Sequence, residues 1–305
     1  MAKQSQPKMS RALQRRENIS GYMFMLPSLI FFVGFVVLPM IICIFLSFTD
    51  ANMHDQSMFG NFVALANYTK LFSDKTFLDA LWNTFVIVIV SVPTVCAFSL
   101  WVASAIYKMH GAACSAFRVI FYLPVVTGSV AVTAVWKWMY NNYYGIFNSV
   151  LKGAHIIENN INWLGDDRFA LWCIILILFT TSVGQPIVLY VSALGNVDVS
   201  LIEAAHVDGA TDLQAFWKVK WPQIMPTTLY ILVITTINSF QCFALIQLLT
   251  QGGSGTNTVM YYIYYTAFKL TEQAGHFGYA NAMGVILALA IAALSAVQFK
   301  LAKEK

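Results

Sequence analysis

The chain has 305 residues, of which 58% are apolar and only 10% charged, and its mean hydropathy is +0.65. A soluble globular domain carries about 25% charged residues, so that class is excluded. A formal charge of +4 is too small to argue for nucleic acid as a partner.

The first twenty residues (1–20) form a basic, polar tail with Lys3, Lys8, Arg11, Arg15 and Arg16, expected to lie in the cytoplasm. The apolar run that follows, 21–48, is too long for the core of a signal peptide and has no convincing A-x-A cleavage site. It reads as a retained first span. Crossing a hydrocarbon layer takes about 20 mostly apolar residues in a helix. Runs of that kind recur at 82–107, 118–140, 169–194, 226–249 and 278–299, followed by a short tail, 300–305. No Asp, Glu, Lys or Arg falls between Lys220 and Lys269, nor between Glu272 and Lys300. The expected fold is therefore an all-α membrane protein of six transmembrane helices within 21–299. Pro27, Pro39, Pro93, Pro124 and Pro186 fall inside spans, where each removes a backbone donor that neighbours must replace.

Basic residues set the orientation. With the N-terminal tail inside, only Lys70, Lys75, Lys137, Lys152, Arg168 and Lys269 fall outside; the other twelve of 18 fall inside. Both termini are then expected in the cytoplasm. The outer segment 49–81 carries more acid than base and shows no sign of a core of its own. Of the five cysteines (Cys43, Cys96, Cys114, Cys173, Cys242), four lie in apolar runs and none forms a C-x-x-C pair. They read as buried thiols packing as small hydrophobes, not as a disulfide or metal framework.

The largest inner loop, about 198–226, carries local signals of its own. Ser200 followed by Glu203 fits a capping box, and a helix from Leu201 would place Leu201, Ala204, Ala205 and Asp208 on one face. Gly209 can end that helix in a left-handed conformation. Thr211 with Gln214 is a second capping box, starting a helix expected to end at Trp221-Pro222, with Pro226 in the first turn of the fifth span. On local chemistry alone, Glu203 could do nothing beyond capping, and His206 reads as a bystander.

The order Glu203-Ala204-Ala205, Asp208-Gly209-Ala210, Phe216, Pro222 and Pro226 resembles the EAA signature of permease subunits of binding-protein-dependent ABC importers. Further matches run through the chain: Asn83-Thr84, Phe117-Arg118, Phe121-Tyr122-Leu123-Pro124, Trp136-Lys137-Trp138, Gly145 with Asn148, Leu248 to Gly253, Tyr264, Ala267-Phe268 and Gly278-Tyr279-Ala280. Together they are similar to carbohydrate-importer permeases, in the compact form related to the maltose-importer permease. Trp221 stands where leucine is usual, and Ser254 where proline often follows the paired glycines.

The resemblance implies a cytoplasmic helix-turn-helix that couples to separate ATPase subunits through Glu203, Ala204, Ala205, Asp208, Gly209, Phe216 and Pro222. It also implies two ATPases, a second homologous permease subunit and an extracytoplasmic solute-binding protein, all at a bacterial cytoplasmic (inner) membrane. ATP and magnesium would be held by the ATPases; this chain has no G-x-x-x-x-G-K-[ST] and is expected to bind no cofactor, and no catalytic or metal residue is assigned.

Intramembrane polar residues are candidate substrate contacts: Thr235, Thr236, Asn238, Ser239, Gln241 and Gln247 in the fifth span, and Thr180, Thr181, Ser182, Gly184 and Gln185 in the fourth. Phe240 and Phe243 could face a sugar ring. Hydrogen bonding between helices, with close packing at Gly184, is the plainer alternative for each. The resemblance to the maltose-importer permease favours Asn238, Ser239 and Gln241, then Thr180 and Gly184. Tyr261, Tyr262, Tyr264 and Tyr265 read as an interfacial aromatic belt, and Lys137 as snorkelling to headgroups.

A secondary transporter or channel would place ionisable residues in the spans, and a membrane enzyme would cluster its histidines, whereas His54, His110, His155, His206 and His276 are scattered. Glycerol-3-phosphate or a glycerophosphodiester is the runner-up solute. The absence of a lysine or arginine in the spans favours a neutral oligosaccharide.

Overall fold

The computed structural model describes residues 11–52, 59–268 and 275–303, the side chains of 11–17 and 301–303 apart. The expected positions Lys3, Lys8, His54 and Lys269 lie outside them. Helix α1 (Arg11–Phe32) begins within the basic tail and continues through a π-helical turn, Val33–Val37, into α2 (Leu38–Leu46). A short α3 (Ala66–Ser73) leads to the 32-residue α4 (Lys75–Ile106). Then come α5 (Gly111–Val126), α6 (Ser129–Met139), α7 (Ile146–Gly153), α8 (Ala170–Ser182) and α9 (Gly184–Gly195). Helix α10 (Val199–Val207) and α11 (Asp212–Ala215) precede a second π-helical stretch, Phe216–Lys220, which runs into α12 (Trp221–Phe240). The chain closes with α13 (Ala244–Leu249), α14 (Val259–Phe268) and α15 (Phe277–Lys303). Among the described residues the only β pairing is two isolated bridges, so the all-α expectation holds.

Four helical stretches are long and apolar enough to cross a membrane: Asn18–Leu46, Lys75–Ile106, Asp212–Leu249 and Phe277–Lys300. Two bent pairs would raise the count to six, if each is one span. The third expected span, 118–140, is not one helix: α5 and α6 meet at 94°. Thr127 (ψ 128°) and Gly128 (ψ 139°) are extended between them. Helices α8 and α9 bend by 40° at Val183.

Both π-helical turns have the same cause. The amides of Leu38 and Trp221 donate five residues back, to Val33 and Phe216, and in each case the next residue is proline, Pro39 or Pro222. Proline has no N–H, and its ring meets the carbonyl four residues back in a regular helix. One extra residue in the preceding turn moves that carbonyl aside, and the helix continues. The expectation that a helix ends at Trp221-Pro222 is therefore corrected, and Pro226 lies inside α12 and not in its first turn.

Helix α4 is the centre of the bundle and packs on α8, α9, α12 and α14, while α15 packs on α2, α3, α12 and α14. The Asn18–Leu46 helix has none of its most apolar stretch buried in this chain. Most of the motif residues that run through the sequence hold the end of the bundle away from α10. Asn83 donates from Nδ2 to the carbonyls of Gly255 and Asn257, both at 2.9 Å, and the Thr84 hydroxyl accepts from the Val259 amide at 3.1 Å. These bonds pin a turn in which Gln251, Gly252, Ser254 and Gly255 all have positive φ. Ser254 at φ +52° occupies a conformation that a proline ring forbids, which accounts for the missing proline.

Asn148, 2% exposed, donates to the carbonyls of Asn142 and Ile161 and accepts from the Trp163 indole. Tyr262 and Tyr279 both donate to Asp74 Oδ2 at 2.8 Å. Of the tyrosines expected at the outer interface, Tyr262 holds a carboxylate, Tyr261 is buried against Phe243 and Tyr264 faces outward.

Candidate functional site

Two regions collect the residues singled out in the sequence: the α10–α11 loop and a set of hollows where the helices break. The N-cap of α10 is Asp198, whose carboxylate accepts from the Ser200 amide at 2.9 Å. Hydrogen bonds from the Ser200 hydroxyl and amide hold this exposed carboxyl below its usual pKa. The expected Ser200–Glu203 capping box is thus not formed, because Asp198 starts the helix two residues earlier than Leu201. Glu203 is exposed, and among the described residues it makes no hydrogen bond or ion pair. The capping explanation for Glu203 falls away.

Helix α10 ends in a Schellman turn, with the Gly209 amide donating to His206 O (3.0 Å) and the Ala210 amide to Ala205 O (2.9 Å). Gly209 has φ +84° and open space where a Cβ would stand. Leu201, Ala204 and Asp208 face out, as does Val207 at 87% exposure, while Ala205 leans towards the bundle. The Thr211–Gln214 capping box is present in both directions. His206 reaches across the turn to Asp212 at 3.3 Å, a contact between exposed groups that adds little. Phe216 turns inward to pack against the apolar cluster that includes Leu194 and Ile224, and Pro222 is exposed on the continuous helix.

The second region lies where three breaks meet: the α5–α6 bend, the α8–α9 bend and the gap between α12 and α13. A hollow of about 320 Å³ is lined by Thr127, Ser129, Thr181, Asn238, Gln241 and Phe243, among others. A smaller one of about 120 Å³ shares Val125, Thr181 and Asn238 with it and adds Gln185 and Tyr230. A third, about 500 Å³, shares Gln185 and Leu189 with the second and reaches Tyr122 and Arg118. The three form one trail along α5.

Among the described residues the side-chain amides of Asn238 and Gln241 have no hydrogen-bond partner, and both are exposed to the hollow. Ser239 points the other way and is 2% exposed. Thr180 donates to Ile177 O at 2.8 Å and lines neither of the two hollows at Asn238. At Gly184 an added Cβ would strike the Phe121 carbonyl, so close packing of α9 on α5 explains that glycine. Sequence reasoning missed Thr127 and Ser129, and it ranked Thr180 above Thr181. The signal available was the polar Thr127-Gly128-Ser129 interrupting an apolar run after Pro124. The expectation of no basic residue within the spans is also amended: Arg118 lies seven residues inside α5, half-buried, with an unpaired Nε.

Comparison with known proteins gives these arrangements a context. The chain is 32% identical to the probable ABC transporter permease protein YesP of Bacillus subtilis over 96% of its own length and 93% of that protein. It is 28% identical to the lactose transport system permease protein LacF of Rhizobium radiobacter, over 96% and 97% of the two chains. Its fold matches a chain of a bacterial alginate ABC transporter crystallised with an alginate pentasaccharide-bound periplasmic protein, with a TM-score of 0.78 over 93% of both chains and 22% identity. Residues 56–303 match the family described as binding-protein-dependent transport system inner membrane component. With a match of that extent, this chain belongs to the binding-protein-dependent transport system inner membrane component family, the permease subunits of ABC transporters.

Proposed function

We propose that this chain forms half of the translocation pathway of an ATP-driven importer, and that a carbohydrate passes through the hollow at Asn238 and Gln241. The observation that carries the solute class is the lining itself: two unpaired amides, the hydroxyls of Thr127, Ser129 and Thr181, and the ring of Phe243, with no charged side chain. Amides and hydroxyls answer sugar hydroxyls, and an aromatic face answers the apolar side of the ring. Likeness to a lactose permease component supports the same class.

In this reading six spans cross the bacterial cytoplasmic membrane with both termini inside. An external solute-binding protein delivers the sugar, and a second, homologous permease subunit completes the wall. Helices α10 and α11 form a cytoplasmic helix-turn-helix that enters a groove on one of two ATPase subunits, where ATP and its magnesium are held. Glu203, free of any capping duty, and the outward Leu201, Ala204, Val207 and Asp208 supply the docking face. Ser239, Thr180 and Gly184 act as wall, not contact.

The test is uptake by the assembled importer at saturating binding protein. Asn238→Ala and Gln241→Ala are each expected to lower maximal uptake about tenfold, as lost hydrogen bonds to solute would, with membrane levels unchanged. Wild-type uptake of every candidate sugar by both variants sinks the assignment. Arg118 favours a second reading, an anionic solute such as a glycerophosphodiester or a uronate-bearing sugar. Under that reading Arg118→Gln abolishes uptake and only anions are carried.

A further inference from the structure

Lys220 is a buried lysine whose only polar partner among the described residues is a phenol. It is 6% exposed, its Nζ donates to the Tyr107 hydroxyl at 2.9 Å, and it sits 5.5 Å from the Tyr107 ring centroid. Among the described residues no carboxylate pairs with it. A buried ammonium is costly to desolvate, and an apolar side chain of similar volume would fill the space without that cost. Packing alone therefore does not account for a lysine here.

Its surroundings do. Tyr107 is the C-cap of α4, so the bond from the Lys220 ammonium to its hydroxyl reaches the residue that ends that 32-residue helix. Lys220 is also the last residue of the π-helical stretch that joins the α10–α11 loop to α12. Pro222 holds that extra residue in place, because closing the turn to a regular helix would drive its ring into the Lys218 carbonyl. Among the described residues the one side chain that crosses from this joint to α4 with a hydrogen bond is Lys220.

Helix α4 then runs about 48 Å at 1.5 Å per residue. Near its far end, Asp74 receives Tyr262 and Tyr279, and Asn83 holds the 252–257 turn. A push on the loop thus has an unbroken route of packed helix and hydrogen bonds to the opposite face.

We propose that Lys220 and Tyr107 are positioning residues that tie the α10–α11 loop to α4, so that the two move as one body when the loop is displaced. The proposal rests on the reading of the loop as the ATPase docking element. A tie of this kind predicts a defect in coupling separate from any defect in assembly.

The experiment uses the importer purified whole from its host, with binding protein and solute, and reads two quantities: ATPase retained on the permease and the stimulation of ATP hydrolysis by loaded binding protein. Lys220→Met is expected to retain the ATPase subunits while stimulation falls about 5- to 10-fold, the lower range of coupling between sites. Tyr107→Phe, which removes one oxygen and keeps the ring, is expected to lower stimulation about 3-fold, as one hydrogen bond would. The double variant is expected to be no worse than Lys220→Met, since the two residues act as a unit.

Gly209→Pro separates the two ideas. If it destroys stimulation while Lys220→Met and Tyr107→Phe keep it at the wild-type level, the loop reading stands and the tie is overturned. If Gly209→Pro also leaves stimulation intact, the loop reading has failed and the tie with it. Should Lys220→Met not accumulate, Tyr107→Phe decides, and wild-type stimulation there overturns the proposal.

Discussion

Asp74 illustrates how much one side chain can organise. Its Oδ1 caps α4 through the amides of Thr76 and Phe77, and its Oδ2 takes the hydroxyls of Tyr262 and Tyr279. Burial by itself would raise its pKa. The hydrogen bonds from Tyr279, Tyr262 and the two amides outweigh that and hold it below the usual carboxylate value. A carboxylate depressed in the folded state contributes stability that is complete above its unfolded pKa, about 3.9. That contribution is lost as pH falls through the folded pKa. Asp74→Asn is therefore expected to be less stable than wild type by a constant margin between about pH 7 and pH 5, with the margin closing only below about pH 4. Thermal unfolding of the two proteins across that range checks it. A margin that already shrinks between pH 7 and pH 5 would mean that the carboxylate is not held low.

At the scale of the element, the loop turn makes a graded prediction. Gly209 has φ +84° with nothing near its missing Cβ, so a substituent there costs backbone strain and no clash. Alanine costs about 1 kcal/mol in a left-handed position, asparagine less, and proline cannot adopt the angle at all. Uptake is expected to fall in the order Gly, Asn, Ala, Pro, with only Gly209→Pro abolishing it. If alanine and asparagine are as damaging as proline, the space at Gly209 is filled by a partner, and φ is not what matters. Capping chemistry made this turn and the Thr211–Gln214 box legible in the sequence. It misled at Ser200 because two acceptors competed, and Asp198, nearer the start, took the amide. Hydropathy located every apolar run, since composition alone decides what crosses lipid. It could not show the bend at Thr127–Gly128, because backbone angles between two apolar helices leave no trace in an average. Thr181 outranks Thr180 in the hollow for a related reason: a 100° step around α8 is settled by packing against α4 and α5.

For the molecule as a whole, sidedness follows from charge and from the order of the helices. Twelve of 18 basic residues fall on the side assigned to the tail and the α10–α11 loop. The surface of α1 and α2 is left uncovered, since no residue of the most apolar stretch is buried in this chain. Such a helix is stable only in hydrocarbon or against another subunit, so the chain is not free to present either face to water arbitrarily. Two exposed positions at opposite ends report the result: Val207 at 87% exposure in the last turn of α10, and Tyr143 at 83% between α6 and α7. Native thiols leave the background low for a reagent that cannot enter the bilayer. Cys114, Cys173 and Cys242 are buried, Cys96 is half-buried, and Cys43 is exposed on α2, within the first apolar span, where lipid would cover it. In the assembled importer, Val207→Cys is expected to react with an impermeant maleimide only in inside-out vesicles, unless a docked ATPase shields it. Stripping the ATPases would then restore labelling. Tyr143→Cys is expected to react only in right-side-out vesicles. The reverse pattern would turn the molecule over and remove the loop from reach of any cytoplasmic ATPase. Labelling of both from one side would mean that the bent pair α8–α9 does not complete a crossing, since it is the span that separates the two positions.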